Sequence, residues 1–290
     1  MLFAMMQHPE ATKRNPNNVK LRDILFAAVA AATFASSAVG GSHGSHGSKV
    51  DPASEDTVEG QYPTGRDALR QIVQNQCMVN WLQHHDPAPC ERVFLADPKT
   101  SNSGFAVLAD RKGGAHYLLI PTQTMAGVDA SELLDPDMPN YFAEAWRARD
   151  VITKFVGHEV PRSAIGLAVN TAQSRTQNQF HIHIDCLRQD VFESLRASAE
   201  HVTDVWSPIV VAGSTYEAMR ISTEGLDGSN LYELLATLKP DTRHHIGEYT
   251  LIAAGMQFKS GPGFVVLTGT GPSGELLLDS SCAVVGGGGG

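Results

Sequence analysis

Two histidines and an aspartate alternate with apolar residues in the stretch Phe180-His181-Ile182-His183-Ile184-Asp185-Cys186. Successive side chains of a strand point to opposite faces, so His181, His183 and Asp185 share one face while Phe180, Ile182, Ile184 and Cys186 share the other. Three chemistries suit the polar face. A buried polar ridge would satisfy its members by mutual hydrogen bonds. A metal site would combine imidazole nitrogens with a carboxylate oxygen and take a further ligand from a distant histidine such as His201, His244 or His245. A histidine nucleophile would attack phosphorus through one ring nitrogen while the other donates a hydrogen bond that fixes the tautomer. For that third chemistry, Asn170, Arg175, Thr176, Gln177 and Asn178 supply amide, guanidinium and hydroxyl donors to phosphoryl oxygens within a short span of sequence. Cys186 is a poor nucleophile candidate because it faces away from both histidines.

The elements that must position these groups are legible in outline. Ala164 to Asn170 and Phe180 to Cys186 read as two strands joined by a polar connection, which sets Asn170 at one strand end beside the histidines of the next. Gly104 to Asp110 and Ala115 to Pro121 read as a hairpin. A helix is expected over residues 65–83 from Ala68, Leu69, Ile72, Val73 and Val79. A second helical stretch follows Pro136 and Pro139, with Tyr141, Phe142, Trp146 and Phe155 as a core stripe. A third helix is expected from Asp190 to Thr203, with Asp190 as its N-cap and Glu193 three residues on. Beyond it come apolar runs around Ile209, Ile252 and Val265, read as strands, with a short helix at Leu231 to Leu238. Core packing is the reading for the apolar residues of 208–211 and 226–235. Helices interspersed with hairpin-like strand pairs favour an α+β fold with a largely antiparallel sheet. No P-loop or dinucleotide-binding glycine pattern is present.

The chain has 290 residues, 42% hydrophobic and 18% charged, with a formal net charge of -9. That balance offers no basic stripe for nucleic acid, though a local positive field for a phosphorylated substrate is compatible with it. Lys13, Arg14, Lys20 and Arg22 precede an apolar run from Ile24 to Val39 that ends in small residues, the order of a secretory signal peptide or signal anchor. As a helix the run would span about 24 Å, short of a hydrocarbon core of about 30 Å. Either form sends the rest of the chain out of the cytoplasm. Gly40 to Ser48 reads as a linker, with His43 and His46 as linker residues, and Gly286 to Gly290 as a flexible tail. The organisation expected is therefore residues 1–48 as basic segment, leader and linker, 49–285 as one domain with a strand-rich C-terminal extension, and 286–290 as tail. Four cysteines in an exported chain favour disulfides. Cys77 and Cys90 bracket a Pro-rich turn and form the local pair, which leaves Cys186 with Cys282; free thiols are the alternative for these buried positions.

The segments AHYLLIPT, NYFAEAWRARD and AVNTAQSRTQNQFHIHIDCLR together resemble the histidine-triad-like superfamily, and within it the CDP-diacylglycerol pyrophosphatase family. The resemblance implies a histidine-triad-like domain that hydrolyses CDP-diacylglycerol to CMP and phosphatidate through a cytidylyl-histidine, with no cofactor or metal and with a membrane lipid surface as partner. It implies His183 as nucleophile, His181 as a phosphate-contacting or orienting group, and Asn170 as the residue that orients the ring. His116 falls where many members carry another histidine, with a plain strand role as the alternative. Asp185 replaces the third histidine of the triad, which puts the ordinary proton relay in doubt; it is expected either to hold an imidazole or to cap local hydrogen bonds. A soluble nucleotide phosphodiesterase or nucleotidyltransferase, or an inactive nucleotide-binding module, would carry the same motif.

Overall fold

The computed structural model describes residues 63–96, 104–271 and 273–286, all within one compact unit, 56–290. The leader, the Gly40 to Ser48 linker and the tail beyond Gly286 lie outside the described residues. Among the described residues nine strands form one sheet: β1 (Arg92–Phe94), β2 (Phe105–Ala109), β3 (Tyr117–Pro121), β4 (Ile165–Val169), β5 (Ile182–Cys186), β6 (Ser207–Val211), β7 (Ser214–Ser222), β8 (Thr250–Phe258) and β9 (Gly261–Gly269). Their order is β1-β2-β3-β5-β4-β8-β9-β7-β6, every neighbouring pair antiparallel. The fold is therefore α+β, and the C-terminal strands continue the same sheet. Among the described residues no helix is long and apolar enough to cross a membrane.

The period-two pattern of β5 decides what covers each side. Phe180, Ile182, Ile184 and Cys186 enter a single large apolar cluster with β4 and β8. Helices α3 (Tyr141–Arg147), α4 (Asp150–Val156), α6 (Thr223–Gly228) and α7 (Leu231–Leu238) pack there. Burying a side chain such as Ile182 or Ile184 fully contributes about 1.5–3 kcal/mol, so a one-residue slip of β5 is excluded energetically. On the opposite face the apolar cover is divided. One cluster lies under the continuous helical run of α1 (Ala68–Ile72), a π-helical stretch Val73–Cys77 and α2 (Met78–His84). Another lies under α5 (Gln189–Ser198). The polar face of β5 lies on this divided side.

Three expectations need correction. Asp190 lies inside the first turn of α5, whose N-cap is Arg188, and Asp190 instead accepts from Arg188 Nε at 2.6 Å. The helix ends at Ser198 and a 3-10 turn, Ala199–His201, carries the chain on. Phe155 leaves the aromatic stripe: Tyr141, Phe142 and Trp146 are buried, but Phe155 is 46% exposed on the outer side of α4. Of residues 208–211, Val211 is buried while Val210 faces solvent on the edge strand.

Both expected disulfides are present, Cys77–Cys90 and Cys186–Cys282. The second anchors the C-terminal segment across the end of β5, and backbone bonds reinforce it: Asp279 N donates to Cys186 O at 2.9 Å and Ala115 N to Ser280 O at 2.8 Å. Gly114 permits that approach, since its φ is +76° and a Cβ there would lie 2.9 Å from the Ser280 Cβ. Loop-closure entropy predicts that replacing Cys186 and Cys282 by serine, across a separation of 96 residues, costs about 4–5 kcal/mol. Removing Cys77–Cys90, with a separation of 13, should cost about 3 kcal/mol. Urea denaturation compares them, and a larger loss for the local pair would contradict the loop-closure account.

Candidate active site

β5 runs between β3 and β4, with His183 opposite Leu118 on one side and Ala168 on the other. The small residues Gly166 and Ala168 pair with Asp185 and His183, so β4 leaves room for polar side chains beside it. One position before Tyr117, which pairs with Ile184, His116 comes level with Asp185. His116 Nδ1 lies 2.6 Å from Asp185 Oδ2, and His116 Nε2 lies 2.9 Å from His183 Nδ1. Asp185 is 0% exposed, and its other oxygen accepts from Cys186 N at 2.6 Å.

That chain assigns the protons. An ionised carboxylate only accepts, so His116 Nδ1–H donates to Asp185. In the neutral His116 ring Nε2 is then an acceptor, and His183 Nδ1–H donates to it. His183 Nε2 keeps its lone pair, and His183 lines a cavity of about 240 Å³ together with His181, Thr176, Gln177, Lys112 and Glu275. Burial holds the His183 ring well below the ordinary imidazole range, and the nearby His181, His116 and Lys112 push the same way. For His116 burial also favours the neutral ring, but the hydrogen bond to Asp185 and the charges of Asp185, Asp110 and Glu275 together outweigh it and raise the pKa. Burial raises Asp185 as well, against the opposing hydrogen bond from His116.

The other expected residues separate into two groups. Asn170 Nδ2 sits 3.3 Å from His183 Nε2, and its Oδ1 accepts from Ser273 Oγ and, at 3.0 Å, from Glu275 N. His181 Nδ1–H donates to Gln179 O at 2.8 Å, and burial lowers its pKa. Thr176 lines the cavity. Gln177, Asn178 and Arg175 are committed to structure: Gln177 accepts from Leu69 N and donates to Gly65 O, Asn178 accepts from Arg66 Nε, and Arg175 pairs with Asp129. They fasten the 171–179 loop to the start of α1 and to the 127–130 turn. A larger cavity of about 740 Å³ lies beyond this loop, lined by Thr171, Gln173, Arg243, His244 and His245; it contains no residue of the histidine face.

The carboxylate Glu275 and the ammonium Lys112 were not expected at the site. They pair with each other, and Glu275 Oε2 comes within 3.7 Å of His183 Nε2 and 3.2 Å of Asn170 Nδ2. Their sequence distance from the motif hid them, although Gly274 is a local sign: a Cβ there would lie 2.8 Å from Val169 O, so glycine lets the 3-10 turn press against β4. Burial raises Glu275, but hydrogen bonds from Lys112 and Asn170 reverse this and leave it below the usual carboxylate value.

For a metal, His116, His183 and Glu275 bring one ligand atom each within 4.8 Å of one another, a set different from the His181, His183 and Asp185 face considered in the sequence. In this arrangement the His116 nitrogen is engaged by His183 and the Glu275 carboxylate by Lys112. Asp185 likewise clusters with Cys186 and Cys282, but those sulfurs are bonded to each other. His201 is exposed, and His244 and His245 belong to the larger cavity.

Compared with known protein families, residues 64–286 match the family model described as CDP-diacylglycerol pyrophosphatase.

The hydrogen-bond chain predicts the titration order of the rings. In histidine ¹⁵N NMR spectra, His183 should stay neutral where an ordinary imidazole protonates, while His116 titrates above the reference value of 6.5. Asp185→Asn removes the acceptor charge and should move the His116 midpoint to lower pH. A His116 midpoint unchanged by that substitution would contradict the assigned chain.

Proposed function

Because the chain belongs to the CDP-diacylglycerol pyrophosphatase family, hydrolases that act on a phosphoric anhydride, we propose that His183 Nε2 attacks the cytidine-bearing phosphorus of CDP-diacylglycerol. A nitrogen–phosphorus bond forms as the anhydride bond to the departing phosphatidate breaks, giving a cytidylyl-histidine. Water then attacks the same phosphorus, the nitrogen–phosphorus bond breaks, and CMP leaves with His183 restored. The observation that carries this reading is the Asp185–His116–His183 chain, with contacts of 2.6 and 2.9 Å, which, above the raised His116 midpoint where that ring is neutral, keeps a proton on His183 Nδ1 and the lone pair on Nε2. During attack the His183 ring becomes cationic, and the adjacent His116, backed by the Asp185 carboxylate, stabilises that charge. Asp185 thus acts at one remove, as a positioning residue for His116.

In this scheme Asn170 orients the His183 ring and donates to a phosphoryl oxygen. His181 keeps Nδ1 on the Gln179 carbonyl; an incoming phosphate raises its affinity for a proton, so Nε2–H can donate to that phosphate. Thr176 adds a hydroxyl donor at the cavity wall. Arg175, Gln177 and Asn178 shape that wall through the contacts that tie down their loop. A cavity of about 240 Å³ is smaller than the roughly 300–1,000 Å³ of sites that enclose a whole drug-sized ligand. It suits the reacting diphosphate, with the diacylglycerol part left outside toward a lipid surface. The two disulfides fit an oxidising compartment, and we place the working domain outside the cytoplasm, next to the membrane.

With CDP-diacylglycerol in mixed micelles and metals chelated, the purified protein should release CMP and phosphatidate in equal amounts. Intact-protein mass spectrometry of quenched reactions should find a cytidylyl adduct. His183→Ala should lose the adduct and about 10³-fold or more in kcat, and Asp185→Asn should lose less. Near-normal turnover by folded His183→Ala would reject the nucleophile, and turnover confined to water-soluble nucleotides would reject the lipid substrate.

A further inference from the structure

The turn between β2 and β3 presents two adjacent cations to the mouth of the histidine cavity, in a chain whose net charge is -9. Asp110 shapes the turn: its carbonyl accepts from Gly113 N at 2.9 Å and its carboxylate from Lys112 N at 2.8 Å. Arg111 is exposed, lines the cavity, and has no hydrogen-bond or ion-pair partner among the described residues. Lys112 reaches across to Glu275.

The position of Glu275 is informative. One carboxylate oxygen takes the Lys112 ammonium; the other takes the Asn170 amide at 3.2 Å and stands 3.7 Å from His183 Nε2. In an attack-ready complex phosphorus lies about 3–3.5 Å from the nucleophile, so its oxygens fall in the shell that this carboxylate now occupies. Lys112 and Asn170 are therefore donors already aimed at an oxyanion beside the nucleophile. A carboxylate and a diphosphate cannot share that shell without strong like-charge repulsion.

We propose, building on the reading above, that Arg111 and Lys112 form a clamp for the substrate diphosphate, and that Glu275 is the resident counter-ion which a phosphoryl oxygen displaces. On binding, the Glu275 carboxylate swings out, and Lys112 and Asn170 transfer their hydrogen bonds from carboxylate to phosphoryl oxygen. Arg111 takes the second phosphoryl group, the one that departs with phosphatidate. When the anhydride bond breaks, its electron pair stays on the departing oxygen, and the guanidinium offsets that charge without giving up a proton. A phosphate leaving group is thereby served by fixed cations in place of an acid.

Steady-state kinetics of the full chain on CDP-diacylglycerol micelles tests the clamp, with His183→Ala assayed in parallel and thermal melts confirming the fold. Lys112→Ala should raise KM about 10-fold with kcat changed less than about 3-fold, and Lys112→Arg should restore most of the loss. Arg111→Ala should lower kcat/KM by about 10-fold or more. Glu275→Gln should lower KM about 3-fold or more at unchanged kcat, because the competing charge is gone while the side chain keeps its shape. Unchanged kinetics in both cation variants, with His183→Ala inactive, would overturn the clamp and leave the nucleophile standing. A fall of about 10²-fold in kcat for Glu275→Gln at constant KM would also overturn it, since Glu275 would then be handling a proton in the chemical step. If His183→Ala stays active while the cation variants lose affinity, the clamp holds and the nucleophile fails.

Discussion

A carboxylate with no exposed surface on a central strand is the constraint from which the rest of this structure follows. Asp185 cannot be left unpaired there, because stranding a buried charge costs several kcal/mol. It is satisfied by one backbone N–H and one imidazole, both at 2.6 Å. The imidazole belongs to His116, on the lead-in to β3, so β3 must lie beside β5 with the register that brings His116 level with Asp185. Once His116 is held by Nδ1, only Nε2 remains, and it faces His183. The orientation of the ring that lines the cavity is thus a consequence of a charge two residues further along the same strand.

The same side of the sheet explains why these groups have a cavity at all. A single continuous apolar layer covers the opposite face, whereas here the cover is split between the α1–α2 helical run and α5. The gap is closed by polar contacts. Gln177 and Asn178 bind the loop after β4 to the beginning of α1, and the C-terminal segment enters from the other side under the Cys186–Cys282 disulfide. That segment supplies Ser273 and Glu275, both bonded to Asn170, so the residue that touches His183 from β4 is itself fixed by the end of the chain. Apolar packing sets the sheet register to within a residue, and these polar ties then set side-chain orientation.

Local periodicity was enough to find the strand face, the β2–β3 hairpin, the β4–β5 pair and the helix at Leu231–Leu238, because each rests on neighbours in sequence. The cysteine pairing was also within reach, since four cysteines with one short spacing leave one remaining pair. Helix α5 starts differently from the reading of Asp190 as a cap, since Arg188 captures that carboxylate and the backbone turns two residues earlier. Phe155 shows the complementary failure: helical spacing identifies a stripe, but the stripe assumes one continuous helix, whereas α3 ends at Arg147 and α4 starts anew at Asp150, with Phe155 exposed. Arg175, Gln177 and Asn178 had the right donors in the right span, yet hydrogen-bonding capacity does not reveal whether a donor is already taken. Glu275 and Lys112 are out of reach for the opposite reason: nothing local in either segment points to the other, and they meet because the C-terminal segment returns to the β2–β3 turn, held by the Cys186–Cys282 disulfide and the bond from Ala115 N to Ser280 O.

The aspartate at the third position of the motif has a physical sense in the proposed chemistry. A histidine there would offer a second titratable proton near the reacting phosphorus, which matters when the leaving group is an alkoxide or amine that must be protonated to depart. A phosphate monoester departs as a stable anion, so electrostatic stabilisation can replace proton donation. Under that relaxed demand the position is available for another task. A carboxylate behind His116 stabilises positive charge in the paired rings as His183 becomes an imidazolium, where a neutral imidazole would only share a proton. The carboxylate at this position stands behind the nucleophile and away from the incoming diphosphate, while Glu275 and Asp110 are carboxylates that line the cavity.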